Sequence, residues 1–308
     1  VTAHRKMRRL ITVLAVSGLA LSGAVTAQAE EDSRVPQLLF YNHAYDVLDR
    51  PTADAIENSA YLREFANFEV RTTTGGGLTW KGRYLKGRET YIELFAEGDL
   101  PGTDALFGSA GTALSTEHEG DLATVTQRLE DQGITPVPYR QNRDFGDGVL
   151  VPWFDTIRTA TSYQAFDGWA MEYLPEYFAD PRSETEPASY AGDVSRERYL
   201  PDDYQDHLMR DIASIRIGVT ADDLATMVPV LRAGGVQVRT LSDGSVIASG
   251  GGTTIRYDSV PREQAGLKQV VFTLNKSVPR HVEQIGQSKL VVGPGSTAVW
   301  TFTGTATS

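Results

Sequence analysis

LLFYNHAYDVL (Leu38–Leu48), RPTADAIENSAYLREFAN (Arg50–Asn67), FEVRTTT (Phe68–Thr74), TWKGRYLKG (Thr79–Gly87) and TYIELFAE (Thr90–Glu97) follow one another with almost no connecting sequence. The first is a β run rich in aromatic and aliphatic residues. Arg50-Pro51-Thr52 ends it and opens a helix, since proline suits the first helical turn. Gly75-Gly76-Gly77 turns the chain between the second and third strands. The stretch therefore predicts strand, helix and three strands.

Side chains alternate faces along a strand. On the first strand His43 shares a face with Tyr41 and Tyr45. On the last, Glu93 shares one with Tyr91 and Phe95. The opposite faces carry Leu38, Phe40 and Ala44, then Ile92 and Leu94, which suit packing under a helix. If the two strands are neighbours, an imidazole and a carboxylate enter one aromatic concavity. Imidazole and carboxylate together ligate zinc, manganese, iron or nickel.

Working outward, the same order recurs. ALFGSAGTALST (Ala105–Thr116) reads as a strand of small residues. A helix follows at Asp121–Gln132, with Leu122, Val125 and Leu129 at i, i+3 and i+7. Three strands come next, at Ile134–Arg140, Val149–Thr159 and Gly168–Leu174. Asp180–Asp193 is polar with two prolines, and a linker is expected at residues 181–194. A third unit begins at Ala213–Val219. Its helix opens with Thr220 as N-cap and Asp223 three residues on. Asp243-Gly244 then marks a hairpin. A fourth, degenerate unit is read as a short helix around Pro279–Ile285 followed by two strands. The helix end LEDQGI (Leu129–Ile134) echoes LRAGGV (Leu231–Val236), as an internal repeat does. The fold class is thus α+β, with repeated βαβββ modules forming cupped mixed sheets and helices on the outer face. The expected domains are a paired-module domain over residues 30–180 and a second, more degenerate one over 195–308.

Residues 1–29 read as a signal peptide. HRKMRR is basic, ITVLAVSGLALSGAV apolar, and Ala27-Gln28-Ala29 a cleavage site, so the mature protein is expected to be secreted. The 308-residue chain carries −11. Residues 1–29 hold four Lys/Arg and no acid, leaving −15 on the other 279 residues. That balance argues against nucleic acid and anionic membranes as partners. No second long apolar run offers a membrane span. The chain has no cysteine, which removes disulfides and thiolate metal sites. A small molecule remains the expected partner, and nothing sets an oligomeric state.

Paired βαβββ modules with His on the first strand and Glu on the fourth resemble the vicinal oxygen chelate superfamily. That group includes glyoxalase I, extradiol dioxygenases and fosfomycin-resistance transferases. Through YNHAYDVLD (Tyr41–Asp49), WAMEYLPEYF (Trp169–Phe178) and GPGSTAVWTF (Gly293–Phe302) the chain is most similar to uncharacterised secreted bacterial proteins. The resemblance implies a divalent metal on His43 and Glu93, with Glu172 matching a third ligand position. The fourth position falls in Gly108–Ser115, which holds no ligating residue. Tyr41, Tyr45, Tyr91 and Phe95 would line the ligand cup. Each metal residue also has a plainer reading. His43 would be a hydrogen-bonded imidazole, Glu93 would pair with Lys81, Arg83 or Arg88, and Glu172 would be a strand-edge acid.

Other motifs fail on context. Gly108–Gly111 lacks the register of a nucleophile elbow, and Asp144-Phe145-Gly146 stands without the other kinase elements. Two functions stay open. One is a metal-dependent lyase, isomerase or dioxygenase acting on a small oxygen-rich substrate. The other is a non-catalytic ligand-binding or structural envelope protein on the same fold.

Overall fold

A computed structural model describes residues 35–75 and 77–303. The signal peptide expected at residues 1–29 lies outside them. Among the described residues no helix is long and apolar enough to cross a membrane.

The first module is β1 (Phe40–Leu48), α1 (Arg50–Glu57), α2 (Ala60–Phe65), β2 (Asn67–Gly75), β3 (Leu78–Lys86) and β4 (Tyr91–Ala96). The helix predicted to be continuous is broken at Asn58-Ser59. Ser59 caps a second helix by accepting from Leu62 N at 3.2 Å. The second module is β5 (Ala110–Ser115), α3 (Asp121–Glu130), β6 (Val137–Asp144), β7 (Leu150–Arg158) and β8 (Phe166–Tyr173). Strand order β1-β4-β3-β2-β6-β7-β8-β5 closes a barrel. Each module is thus laid out as first, fourth, third and second strand. The modules meet where β1 runs antiparallel to β5 and β2 to β6.

Two short helices, α4 (Pro175–Ala179) and α5 (Arg196–Tyr199), follow the barrel. The third module is β9 (Met209–Val219), α6 (Ala221–Ala233), β10 (Gln237–Thr240), β11 (Val246–Gly250) and β12 (Thr253–Ser259). The fourth is β13 (Gly266–Val278), β14 (His281–Ile285), β15 (Ser288–Val292) and β16 (Gly295–Phe302). They form one open sheet, β10-β11-β12-β9-β13-β16-β15-β14, in the module layout of the barrel. The helix expected around Pro279–Ile285 is a strand instead. His281 to Ile285 pair with Val292 to Ser288 in a hairpin, so the fourth module has lost its crossover helix.

The larger hydrophobic core lies outside the barrel. It gathers Ile56, Phe65, Val125, Leu129 and Met227 from the helices, with Ile215, Phe272 and Trp300 from the open sheet. A second, more aromatic core fills the barrel interior. The small residues of β5 make room for it. A Cβ on Gly111 would sit 2.3 Å from the Tyr45 ring and 3.0 Å from the Trp169 ring.

Candidate functional site

His43, Tyr45, Tyr91, Glu93 and Phe95 line one open cavity of about 250 Å³ inside the barrel. Register explains the convergence. β1 and β4 run parallel with Tyr45 opposite Glu93 and His43 opposite Tyr91, so one pleat presents all four. Tyr41, expected beside them, is not in the cup. A β-bulge lies between Tyr41 and His43, where Asn42 is the extra residue on β1. The bulge reverses the alternation, and Tyr41 joins the outer core with Leu39 and Ala44.

The bulge also gives His43 a fixed orientation. Its Nδ1 lies 2.7 Å from Asn42 Oδ1. Asn42 Nδ2 in turn donates to Ser115 Oγ at 2.9 Å and to the Tyr173 hydroxyl at 3.2 Å. With the amide assigned in that sense, Asn42 accepts through Oδ1, also from the Tyr173 hydroxyl at 3.3 Å, and the imidazole proton is assigned to Nδ1. Nε2 keeps its lone pair. The ring stacks on Tyr91 with centroids 4.5 Å apart and meets the Trp169 ring edge-on at 5.5 Å. Burial holds the imidazole far below its ordinary pKa, at about 3, so it is neutral.

Glu93 is half-buried and accepts no hydrogen bond among the described residues. The cations expected to pair with it are occupied elsewhere. Lys81 bonds Glu57, Arg83 bonds Glu57 and Asp99, and Arg88 bonds Glu197. Burial pushes the Glu93 carboxyl up to about 7, against the weaker opposing pull of Arg71 and Arg143. At neutral pH the cup therefore offers a neutral, weakly basic imidazole and a carboxyl near its own pKa.

Glu172 is not part of this arrangement. It lies on the opposite face of β8 from Trp169, Met171 and Tyr173, and its carboxylate serves α3. It accepts from Thr116 Oγ at 3.0 Å, Gly120 N at 2.8 Å and Leu122 N at 2.9 Å. Anion at a helix N-terminus is the physical reason for its position. Glu172→Ala should therefore lower stability by about 2–4 kcal/mol while the surroundings of the cup tryptophans stay unchanged. Urea unfolding and tryptophan fluorescence of the folded variant check both halves.

Sequence reasoning missed several cup residues. Trp80, Trp153 and Trp169 form much of its wall. The indole N–H of Trp169 is buried with no hydrogen-bond partner among the described residues, whereas that of Trp153 faces the Tyr199 hydroxyl. Asp104, in a single 3-10 turn between β4 and β5, accepts from the Tyr45 and Tyr163 hydroxyls, both at 2.8 Å. Asp167 accepts from Arg158 Nε at 3.0 Å. The period-two alternation of β8 could have found Trp169, because it places Trp169 opposite Glu172.

The chain matches the Family of unknown function (DUF5829) over residues 41–302. It belongs to that family. No curated protein sequence matches it. Among solved structures, a hypothetical protein from Staphylococcus aureus aligns with a TM-score of 0.51 at 11% identity, covering 80% of this chain and 96% of that one. The 2,3-dioxygenase LapB from Pseudomonas sp. KL28 aligns with 0.44 at 12% identity, covering 88% and 93%. The Mn(II)-bound glyoxalase from Novosphingobium aromaticivorans aligns with 0.39 at 10% identity, covering 86% and 81%. The paired βαβββ modules of this DUF5829 chain are those that its sequence resemblance implied.

The donor set does not fit the divalent metal that the same resemblance implied. Catalytic sites of this kind use about three protein ligands. The cup supplies two, His43 Nε2 and Glu93. Asp104 and Asp167 also line it, but their oxygens are held by tyrosine hydroxyls and by Arg158. Among the described residues no three His, Asp or Glu stand together as a metal would require.

Proposed function

We propose that the protein binds a small oxygen-bearing organic molecule in the barrel cup, without a resident metal, and does so as a secreted protein. The observation that carries this reading is the unmet polarity of an aromatic cavity. Among the described residues Glu93 and His43 Nε2 have no hydrogen-bond partner, and the buried indole N–H of Trp169 is unpaired. Buried polar groups are satisfied in folded proteins, and those that are not call for a partner. Apolar walls with a few convergent polar groups are the usual make-up of a small-ligand site.

A second reading is the metal-dependent lyase, isomerase or dioxygenase. It is favoured by the Asn42 amide holding His43 by Nδ1, as outer groups hold metal-ligating histidines. Elemental analysis of the purified protein separates the two. The expected result is no stoichiometric zinc, manganese, iron or nickel, before or after loading and desalting. One equivalent of metal, lost in both His43→Ala and Glu93→Gln, would replace the first reading with the second.

A further inference from the structure

We infer that the ligand of this cup is a neutral, polyhydroxylated single ring of monosaccharide or cyclitol type; the inference rests on the proposed binding role. Size sets the first limit. At about 250 Å³ the cavity is smaller than the roughly 300–1,000 Å³ of drug-sized sites, leaving room for one substituted ring.

Charge sets the second. The lining carries three carboxylates, Glu93, Asp104 and Asp167, against one cation, Arg158. His43 adds no charge. A carboxylate or phosphate ligand would enter against that excess.

A cationic ligand meets a different obstacle. The faces of two of the cup's three indoles, Trp153 and Trp169, are already taken by the protein's own arginines. Arg158 lies over Trp169 at 5.3 Å, and Arg143 over Trp153 at 5.0 Å. Tyr177 also stacks on Trp153 at 5.7 Å. What Trp169 leaves unsatisfied is its N–H edge, which calls for an acceptor oxygen and repels a cation.

The remaining polar groups ask for both senses of hydrogen bond. The Trp169 indole needs an acceptor. His43 Nε2 needs a donor, and Glu93 near pKa 7 serves as either. A hydroxyl is the neutral group that donates and accepts at once. Trp80 also lines the cup, with its indole N–H donating to the Tyr84 hydroxyl at 3.3 Å, and it supplies apolar wall for the C–H side of the ring.

The test is titration of the whole secreted chain followed by indole N–H resonances in ¹H–¹⁵N spectra. Probes are glucose, xylose and myo-inositol (neutral), glucuronate (anion), glucosamine (cation) and catechol (flat aromatic). Trp300 donates to Ser288 Oγ in the outer core and serves as internal control. The expected result is that a neutral polyol shifts Trp153 and Trp169 but not Trp300. It should bind at least about tenfold tighter than either charged sugar, and Trp169→Phe should weaken it about tenfold. Equal or tighter binding of glucuronate, glucosamine or catechol would overturn the ligand class and leave the cup's binding role standing. No shift with any probe would overturn both. The wild-type spectra decide between these outcomes even if Trp169→Phe fails to fold.

Discussion

Replacing Asp223 with alanine is expected to destabilise the protein by roughly 3–5 kcal/mol, the largest loss from any single carboxylate considered. Asp223 is buried in the first turn of α6, at 2% exposure. One oxygen accepts from Gln164 N at 2.8 Å, and the other from Ala165 N at 2.9 Å and Phe166 N at 3.0 Å. The carboxylate thus ties the open-sheet module to the chain entering β8, the strand that carries Trp169 and Glu172. Removing it strands three backbone donors at once, and each unsatisfied donor costs about 1–3 kcal/mol. Asp223→Asn should lose about half as much, because one of its two acceptor atoms becomes a donor. Urea midpoints for the two variants check this. A loss under about 1 kcal/mol in Asp223→Ala would mean that water satisfies the three N–H groups.

Asp223 also marks what the sequence could and could not convey. Its position three residues after an N-capping Thr220 was legible, and Thr220 Oγ does accept from Asp223 N at 3.2 Å. Where the carboxylate itself goes was not, because its partners lie about sixty residues earlier. The same division runs through the molecule. Periodicity and turn residues carried the strand–helix–strand order of the first three modules, since both are local. In the fourth module the stretch from Pro279 was misread. Its outcome is set by pairing with β15, a contact absent from local composition.

At the site, alternation placed His43 and Glu93 on one face correctly. It failed for Tyr41, where a single inserted residue, Asn42, reverses the faces. Bulges answer to the partner strand and leave little local trace. Glu172 was carried over from a resemblance in the pattern of modules. The alternation of its own strand already set it against Trp169 and Tyr173, and the structure follows the alternation. Asp104 was invisible for another reason. It lies in a single 3-10 turn outside the periodic elements, and its two tyrosine partners are each 59 residues away.

Asp46→Asn should make the protein more stable at pH 8 than its parent, with the advantage vanishing toward pH 4. Asp46 lies on β1, next to the cup residue Tyr45 but facing the other way. It is buried at 3% exposure and accepts from Leu267 N at 2.7 Å, on β13 of the open sheet. Gly266, at φ +96°, lets the chain come this close, since a Cβ there would lie 3.0 Å from Asp46 Oδ1. Burial pushes the carboxyl up to about 7, and the Leu267 N–H, Lys268 and Arg262 offset this only in part.

The folded pKa thus exceeds the unfolded one, so folded protein holds the proton that unfolded chain releases. Stability from this group is fully present below the unfolded value of 3.8 and is lost as pH rises through about 7. A shift of that size amounts in full to roughly 4 kcal/mol, most of it developed between pH 4 and pH 8. Asparagine keeps the acceptor oxygen and has no proton to lose. Glu93 pulls in the same direction over the same range, and His43 in the opposite one, losing stability as pH falls from 6.5 towards about 3. Both are present in parent and variant and cancel in the comparison. Urea unfolding of the two proteins at pH 4, 6 and 8 gives the result directly. The stability difference should grow in favour of Asp46→Asn by roughly 3–4 kcal/mol from pH 4 to pH 8. Parallel curves would mean that Asp46 is ionised in the folded state throughout, with Lys268 and Arg262 outweighing its burial.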